Sequence, residues 1–357
     1  MDQNTAETTA TETAETPPTL DGPRVAVLGT GSWGSALAHL LGTKGYEVRL
    51  WDRDPALLAA IAASGVNAKY LPDVPLPETI TATPSIEAAL ADADWAIVAI
   101  ASGGVVEVMR EALPFLHPAL SLLSAAKGLD AVTGDTVSET LTALLQDTPH
   151  AGITVLSGPN LARELTRGVP TASVVASLDP RQARRAQGLL MTARTFRVYT
   201  HTDVKGVELG GALNNVLAIG AGLSDGLGFG DNTKAALMTR GLMEMTQLGV
   251  AAGGQALTFL GLSGVGDLLA TSGSKLSRNY RVGLGLAAGK TLPQIYAELG
   301  QAAEGVPTAL AAQVLSRRYA VPVPVFDTID AVLHHGLSPA SAVEDLMTRA
   351  AREEFPG

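Results

Sequence analysis

The chain has 357 residues, 46% of them apolar, a formal charge of −10 and no cysteine. At roughly 100–200 residues per domain this length predicts two domains, and the missing cysteines exclude disulfides, thiol catalysis and Cys-ligated zinc. The acidic balance, without a Lys/Arg-rich stretch, argues against nucleic acid as a partner, because a nucleic-acid groove needs a basic footprint.

Residues 1–22 are rich in Thr, Ala and Glu and nearly free of large apolar side chains. Such a segment cannot bury enough surface to offset its ordering entropy and reads as a disordered acidic tail. It has neither the basic start nor the apolar run of a signal peptide. No stretch of eighteen apolar residues escapes interruption by Gly, Pro or charge, so no transmembrane helix is expected and the chain reads as soluble and cytoplasmic. The six histidines form no pair at ligand spacing, so no metal site is expected.

Ordered elements begin with the short apolar run 25–28, followed by a glycine-rich turn, a helix at 32–43 and a second strand at 48–51. A helix at 55–63, a weak strand at 79–83 and a helix at 85–90 follow. Strands at 95–100 and 121–125 are separated by a helix, and further strands are predicted at 153–157, 172–176 and 196–199. This alternation predicts βαβ units and a mostly parallel sheet. Helices on both faces explain strands that are apolar throughout. The pattern changes near His201. Residues 206–222 and 233–252 carry long helical patterns, the first holding Gly210, Gly211, Gly220 and Gly222. Glycine inside a helix costs stability, so this density implies close helix packing or close approach to a ligand. The only later strand candidate, 321–325, contains Pro322 and Pro324, which count against it. The expected fold is α/β: an N-terminal Rossmann-type doubly wound sheet over 23–203, then an all-helical substrate and catalytic domain over 204–357.

Gly29-Thr30-Gly31-Ser32-Trp33-Gly34 follows the first strand and opens the first helix. Gly29 suits the tight turn, Gly31 a close backbone approach to a pyrophosphate, and Gly34 tight helix–sheet packing. The helix N-terminus offers free N–H groups to phosphates. Asp52 stands 52 − 29 = 23 positions past the first glycine, close to where a carboxylate meets the adenosine ribose. Its neighbour Arg53 suits a 2′-phosphate instead, so NAD and NADP both stay open. Lys127 and the turn Ser157-Gly158-Pro159-Asn160 each follow a strand, where parallel sheets bind ligands. Read alone, each is as well explained as an ordinary loop. In the helical half, Asp267 sits beside glycines, and Ser277-Arg278-Asn279 reads equally as a helix cap with a surface charge or as a phosphate seat.

Together the motifs GTGSWGSALA, LWDRD, AAKGLD, LSGPNLARE, GVELGGALNNVLAIGAG, SDGLGFGDNTKAALMTRGLMEM, GLSGVGDLLATS and SRNYRVG arrive in an order that resembles the NAD(P)-dependent glycerol-3-phosphate dehydrogenases, soluble bacterial type. The resemblance runs from about Arg24 to about Ala350. It implies reversible hydride transfer between the nicotinamide and C2 of dihydroxyacetone phosphate, giving glycerol 3-phosphate for glycerophospholipid synthesis. By the same resemblance Ser32, Trp33, Arg53, Lys127, Ala162, Arg278, Ala302 and Glu304 contact the cofactor. Lys127, Gly158, Asn160, Asp267, Ser277, Arg278 and Asn279 hold the substrate, and Lys127 and Asp267 join the reaction centre. A homodimer is the candidate assembly.

The chain departs from the family at Asn160, where Ser or Thr is usual, and at Leu161, where Phe is. It departs more seriously at Asn214, where the family has a lysine, the presumed proton donor and acceptor. An amide donates a hydrogen bond but no proton, so slow turnover is expected. Two alternatives stand beside this reading: another β-hydroxyacid-type dehydrogenase, and a catalytically weakened nucleotide-binding homologue.

Overall fold

All eight stretches expected as strands pair into one sheet in the computed structural model, which describes residues 22–342. The expected acidic tail, apart from Gly22, lies outside the described residues. The strands are β1 (Val25–Leu28), β2 (Val48–Trp51), β3 (Ile80–Thr83), β4 (Trp95–Val98), β5 (Ser121–Ser124), β6 (Gly152–Ser157), β7 (Thr171–Ala176) and β8 (Phe196–His201). Their order is β3-β2-β1-β4-β5-β6-β7-β8, parallel throughout except where β7 runs antiparallel to β6. The chain leaves β1 toward β2 on one side and returns at β4 on the other. The crevice between their carboxyl ends is the switch point at which such sheets bind ligands.

The connecting helices are α1 (Ser32–Thr43), α2 (Pro55–Ser64), α3 (Ile86–Leu90), α4 (Val105–Ala112), α5 (Val137–Leu144), α6 (Ala162–Thr166) and α7 (Pro180–Leu190). Local chemistry starts several of them. Asp54 and Asp179 cap α2 and α7, each ahead of a proline at the first helical position, where its missing N–H has no partner to lose. Apolar clusters cover both sheet faces. Val25, Val27, Leu37, Leu50 and Ile97 meet on one; Ala26, Leu28, Met109 and Leu122 meet on the other.

Past β8 the described residues contain only helices and turns: α8 (Val204–Gly226), α9 (Asp231–Ala251), α10 (Ala256–Phe259), a π turn at Leu262–Gly266, α11 (Asp267–Gly273), α12 (Arg278–Ala287), α13 (Leu292–Leu299), α14 (Gly305–Tyr319) and α15 (Pro324–His334). The doubtful strand at 321–325 is the lead-in to α15, which Pro324 opens. Helix α8 is the axis of this half and is buried from Gly206 to Ser224. Its glycines do what their density implied. A Cβ on Gly222 would lie 2.0 Å from the carbonyl oxygen of Tyr280, and one on Gly283 of α12 would lie 2.1 Å from that of Ile219. The two helices therefore cross at backbone contact. No described helix is long and apolar enough to cross a membrane.

Candidate active site

The turn after β1 is shaped by its glycines. Gly29 adopts φ +113, and a Cβ there would lie 2.7 Å from the Ala99 carbonyl oxygen. A Cβ on Gly34 would lie 2.0 Å from Gly29 O, whereas one on Gly31 would meet nothing within 4 Å. Gly31 is also the N-cap of α1, and no side chain caps that helix. Its first N–H groups are thus left for an anion, and the cradle fits a dinucleotide pyrophosphate. Trp33 packs half-buried against the sheet core, its indole Nε1 buried without a partner.

Asp52 does not stand free at the end of β2. Its Oδ2 accepts from Thr30 N (2.9 Å) and Thr30 Oγ1 (2.5 Å), and its Oδ1 accepts from Asp54 N. Arg53 is turned toward α4, with its guanidinium 2.7 Å from Glu107. A loop that sequence reasoning passed over completes this wall. Asn67, wholly buried, donates to Thr30 O and Ser35 Oγ, and Tyr70 O accepts from Ser32 Oγ. No spacing rule marks 67–70, because its partners lie more than thirty residues away.

Across the cleft, Lys127 reaches out from the loop after β5. Its Nζ donates to Gly158 O (2.7 Å) and Asp267 Oδ2 (2.9 Å). Gly158, at φ +127, turns the chain after β6 so that this carbonyl is presented. Asp267, the first residue of α11, is buried. Burial pushes its carboxyl up from the usual range, while the Lys127 ammonium beside it pulls it back down. Asn214 is fully buried on α8. Its Nδ2 donates to Ser263 O (2.9 Å) and Gly264 O (2.8 Å), so both amide hydrogens are committed to the backbone of the π turn. Gly210 and Gly211 let α8 come this close: a Cβ on the first would meet Ser263 O at 2.8 Å, and one on the second Ser157 Oγ at 2.2 Å.

A chain of amides continues from there. Asn215 Nδ2 donates to Lys127 O at 3.4 Å, Asn279 Nδ2 donates to Asn215 Oδ1, and Gly305 N donates to Asn279 Oδ1. Asn215 went unnoticed in the sequence although it adjoins Asn214. Ser277 caps α12 through Tyr280 N and also bonds Thr271. Arg278 donates to Ala302 O (2.8 Å). The segment 301–304 then straps the two halves together. Gln301 Oε1 lies 3.1 Å from Ser32 Oγ and shares that hydroxyl's one proton with Tyr70 O, and the Glu304 carboxylate accepts from both N–H and Oγ of Ser102. Burial raises the pKa of Glu304 above its ordinary value, against those hydrogen bonds and Arg278.

Hydrogen bonds thus link Lys127 with Gly158, Asp267 and, through Asn215 and Asn279, with Gly305; Arg278 reaches Ala302, Glu304 reaches Ser102, and Asn214 lies against the π turn that precedes Asp267. Asn160 and Ala162 sit further along the β6 turn. Asn160 Oδ1 accepts from Ser173 Oγ, its Nδ2 is buried without a partner, and Ala162 opens α6. Among the described residues no cluster of acids and histidines is arranged to hold a metal.

Comparison with known proteins gives this cleft a context. The family models described as NAD-dependent glycerol-3-phosphate dehydrogenase N-terminus and C-terminus match residues 24–183 and 203–344. A relative from Anaeromyxobacter sp. (strain K), named glycerol-3-phosphate dehydrogenase NAD(P)+, is 46% identical over 93% of this chain and 100% of its own length. A Streptomyces griseus protein of the same name is 43% identical over 93% of this chain and 98% of its own. The crystal structure of glycerol-3-phosphate dehydrogenase from Coxiella burnetii superposes with a TM-score of 0.87 at 36% identity, covering 92% of this chain and 99% of that one. A ketopantoate reductase structure from Ralstonia eutropha shares the fold at 16% identity and a TM-score of 0.57, over 91% of this chain and 100% of that one.

Proposed function

The chain belongs to the NAD-dependent glycerol-3-phosphate dehydrogenase family and is an NAD(P)-dependent oxidoreductase, and from that premise we propose that it reduces dihydroxyacetone phosphate to sn-glycerol 3-phosphate with Lys127 handing over the proton. The observation that carries this reading is the junction of Lys127 with Gly158 O and Asp267, where the sheet half meets the helical half.

When bound, the dinucleotide supplies the hydride, from C4 of its nicotinamide to C2 of the substrate. The C2 oxygen then needs a proton. A charged Lys127 has three N–H donors; Gly158 O and Asp267 take two, and the third is left for that oxygen. Asn214 has no titratable proton, and both its amide hydrogens are held by carbonyls, so it builds the wall without moving the proton. Asp267 positions Lys127 through its 2.9 Å contact, and the amine left after each proton transfer takes a new proton from solvent. The substrate phosphate belongs at the N-terminus of α12. There Arg278 uses one donor on Ala302 O and keeps the rest of its fork for an anion. Cytoplasmic placement, pairing into a homodimer and supply of glycerophospholipid synthesis go with this reading and rest on the resemblance.

The test is oxidation of NADH and NADPH by the purified chain with dihydroxyacetone phosphate, run beside 2-oxo and 3-oxo acids. Turnover with the phosphorylated ketone alone supports the reading. Preferential turnover of an oxo acid would move the chain to the β-hydroxyacid-type enzymes. Tight dinucleotide binding with no turnover of any ketone would favour a nucleotide-binding homologue without catalysis, the reading that the committed Asn214 amide supports.

A further inference from the structure

Lys127 sits on a loop, residues 125–136, that leaves the sheet after β5 and returns to it at α5. Helix α5 packs on the sheet through Val137 and Leu141. Between those ends the loop is held by the other half of the molecule. Leu129 is buried in the apolar cluster of the helical half, together with Leu209 and Leu213 of α8. Gly134, at φ +72, would set a Cβ 3.0 Å from Leu315 of α14, and Arg318 of the same helix bonds Thr133 O and Asp135.

One face of α8 completes the hold. Lys205, Glu208, Gly211 and Asn215 recur at spacings of three and four, which aligns them along a helix. Lys205 pairs with Glu139. Glu208 accepts from Ser138 N–H (2.9 Å) and from the Ser138 hydroxyl. A Cβ on Gly211 would lie 3.8 Å from Lys127 Cδ, and Asn215 Nδ2 donates to Lys127 O at 3.4 Å. The row thus begins on α5 and ends, two turns later, on Lys127 itself.

Its anchors are unequal. Glu139 is 44% exposed, and exposed ion pairs contribute little. The Asn215 bond is long for an N–H···O contact. The Glu208 carboxyl is buried, and both its oxygens meet the first turn of α5, where N–H groups have no helical partner. Without it the Ser138 donors are left buried and unanswered, the costly case.

Taking the proton-transfer role of Lys127 in the proposed function as given, we propose that Glu208 is its positioning residue: the clasp on Ser138 fixes α8 against the Lys127 loop and so keeps the ammonium on Gly158 O and Asp267. Burial raises the Glu208 carboxyl above its ordinary range. An uncharged amide of the same shape, still able to accept from Ser138 N–H, is therefore an adequate replacement, and a methyl group is not.

The experiment compares Glu208→Ala and Glu208→Gln in the full chain. Amine acetylation followed by mass spectrometry reads the freedom of Lys127. Lys44 is the control, its ammonium held in the sheet half by Gly188 O, Leu189 O and Met191 O. Glu208→Ala is expected to speed labelling of Lys127 several-fold and leave Lys44 unchanged, while Glu208→Gln changes neither. Turnover should follow: Glu208→Ala is expected to lower kcat at least several-fold and up to roughly 10²-fold, the loss that a small misplacement of a reacting group brings. In a Lys127→Met background the same substitution should cost nothing further, because the group it positions is gone. If Glu208→Ala does not fold, Ser138→Ala, which keeps the N–H bond and removes the hydroxyl, is expected to give smaller effects of the same sign. Equal acceleration of labelling at both lysines, unchanged labelling of Lys127, or equal kcat losses in both backgrounds would overturn the positioning role. A kcat unchanged by Lys127→Met would instead sink the proton-transfer reading, and the positioning role with it.

Discussion

The two halves of the molecule bury their polar groups differently. In the sheet half the buried polar side chains are neutral: Thr30, Ser35, Asn67, Ser121, Ser157 and their like. In the helical half carboxyl groups are buried as well, Glu208, Glu244, Asp267 and Asp330, together with Asp203 at the boundary, which caps the first helix of that half. A parallel sheet pairs its own N–H and C=O groups along the ladder and leaves little for side chains to satisfy. Helices end with unpaired N–H groups, and a packed bundle must find partners for them. Asp203 answers Gly206 N and Gln255 N, Glu244 answers Val325 N and Phe326 N, and Glu208 answers Ser138 N across the domain boundary. In the proposed reading the sheet half meets the dinucleotide with backbone and glycine, and the substrate meets side-chain charges from both halves, Lys127 from the sheet half and Asp267 and Arg278 from the helical half.

The sharpest way to break this comparison is at the Lys127–Asp267 pair, where the proposed reaction centre joins the two halves. Lys127→Met should lower kcat by about 10²–10⁴-fold, the usual loss for a general acid, and should lower the melting temperature as well, because it leaves the buried Asp267 carboxyl without its partner. A kcat within a few-fold of the original would remove Lys127 from proton transfer. Asn214→Lys works in the opposite direction. The pocket that now holds the amide offers Ser263 O, Gly264 O and a neighbouring Asp267, a fitting environment for an ammonium. A second proton donor should raise kcat by roughly 10²-fold, the lower end of the same range. An unchanged kcat would mean that Lys127 already suffices.

Gly222→Ala probes the packing that makes room for those charges. Its Cβ would lie 2.0 Å from the Tyr280 carbonyl. Overpacking typically costs about 1–3 kcal/mol, so thermal unfolding should shift down by several degrees. An undiminished melting temperature would show that α8 and α12 can slide apart freely. The gentlest test concerns pH. Burial raises the Glu244 carboxyl from its ordinary 4.5 to about 8. The folded state thus holds this proton more tightly than the unfolded chain. Its contribution is complete below the unfolded pKa and fades as pH rises through about 8. Melting temperature should fall between pH 5 and pH 8.5, and Glu244→Gln should flatten that slope. An unaltered slope in the variant would assign the pH dependence to Glu208 or Asp267, whose carboxyls burial also pushes up.

Much of the architecture was legible because it is written locally. Helix 32–43 was bounded to the residue, since a strand, three glycines and an apolar stripe mark it within twenty positions. Strands β4 and β8 differ from the sequence expectation only at their ends: Ala99 and Ile100 leave β4 ahead of the turn at Ser102–Gly104, and Thr200 and His201 extend β8 along β7. Helix 206–222 extends to 204–226, because Asp203 caps it earlier than the apolar pattern begins. The site was legible as a set of residue types, and its connections were not. Nothing in 67–70 signals a loop that laces the glycine turn. Nothing near Arg53 in sequence announces that Glu107 holds it, or near Ser102 that Glu304 closes on it.

The sequence by itself determined the order of strands and helices, the dinucleotide turn with its three glycines, the family and the position of the missing lysine. These depend on chemistry within one turn or one strand, or on motifs in fixed order. Only the tertiary structure decided that Asp52 is a strut, that Asn214 is spent on two carbonyls, and that Lys127 meets an aspartate 140 residues away. Those outcomes depend on which groups compete for a donor once the chain has closed, and no residue's identity or spacing states who its competitors are.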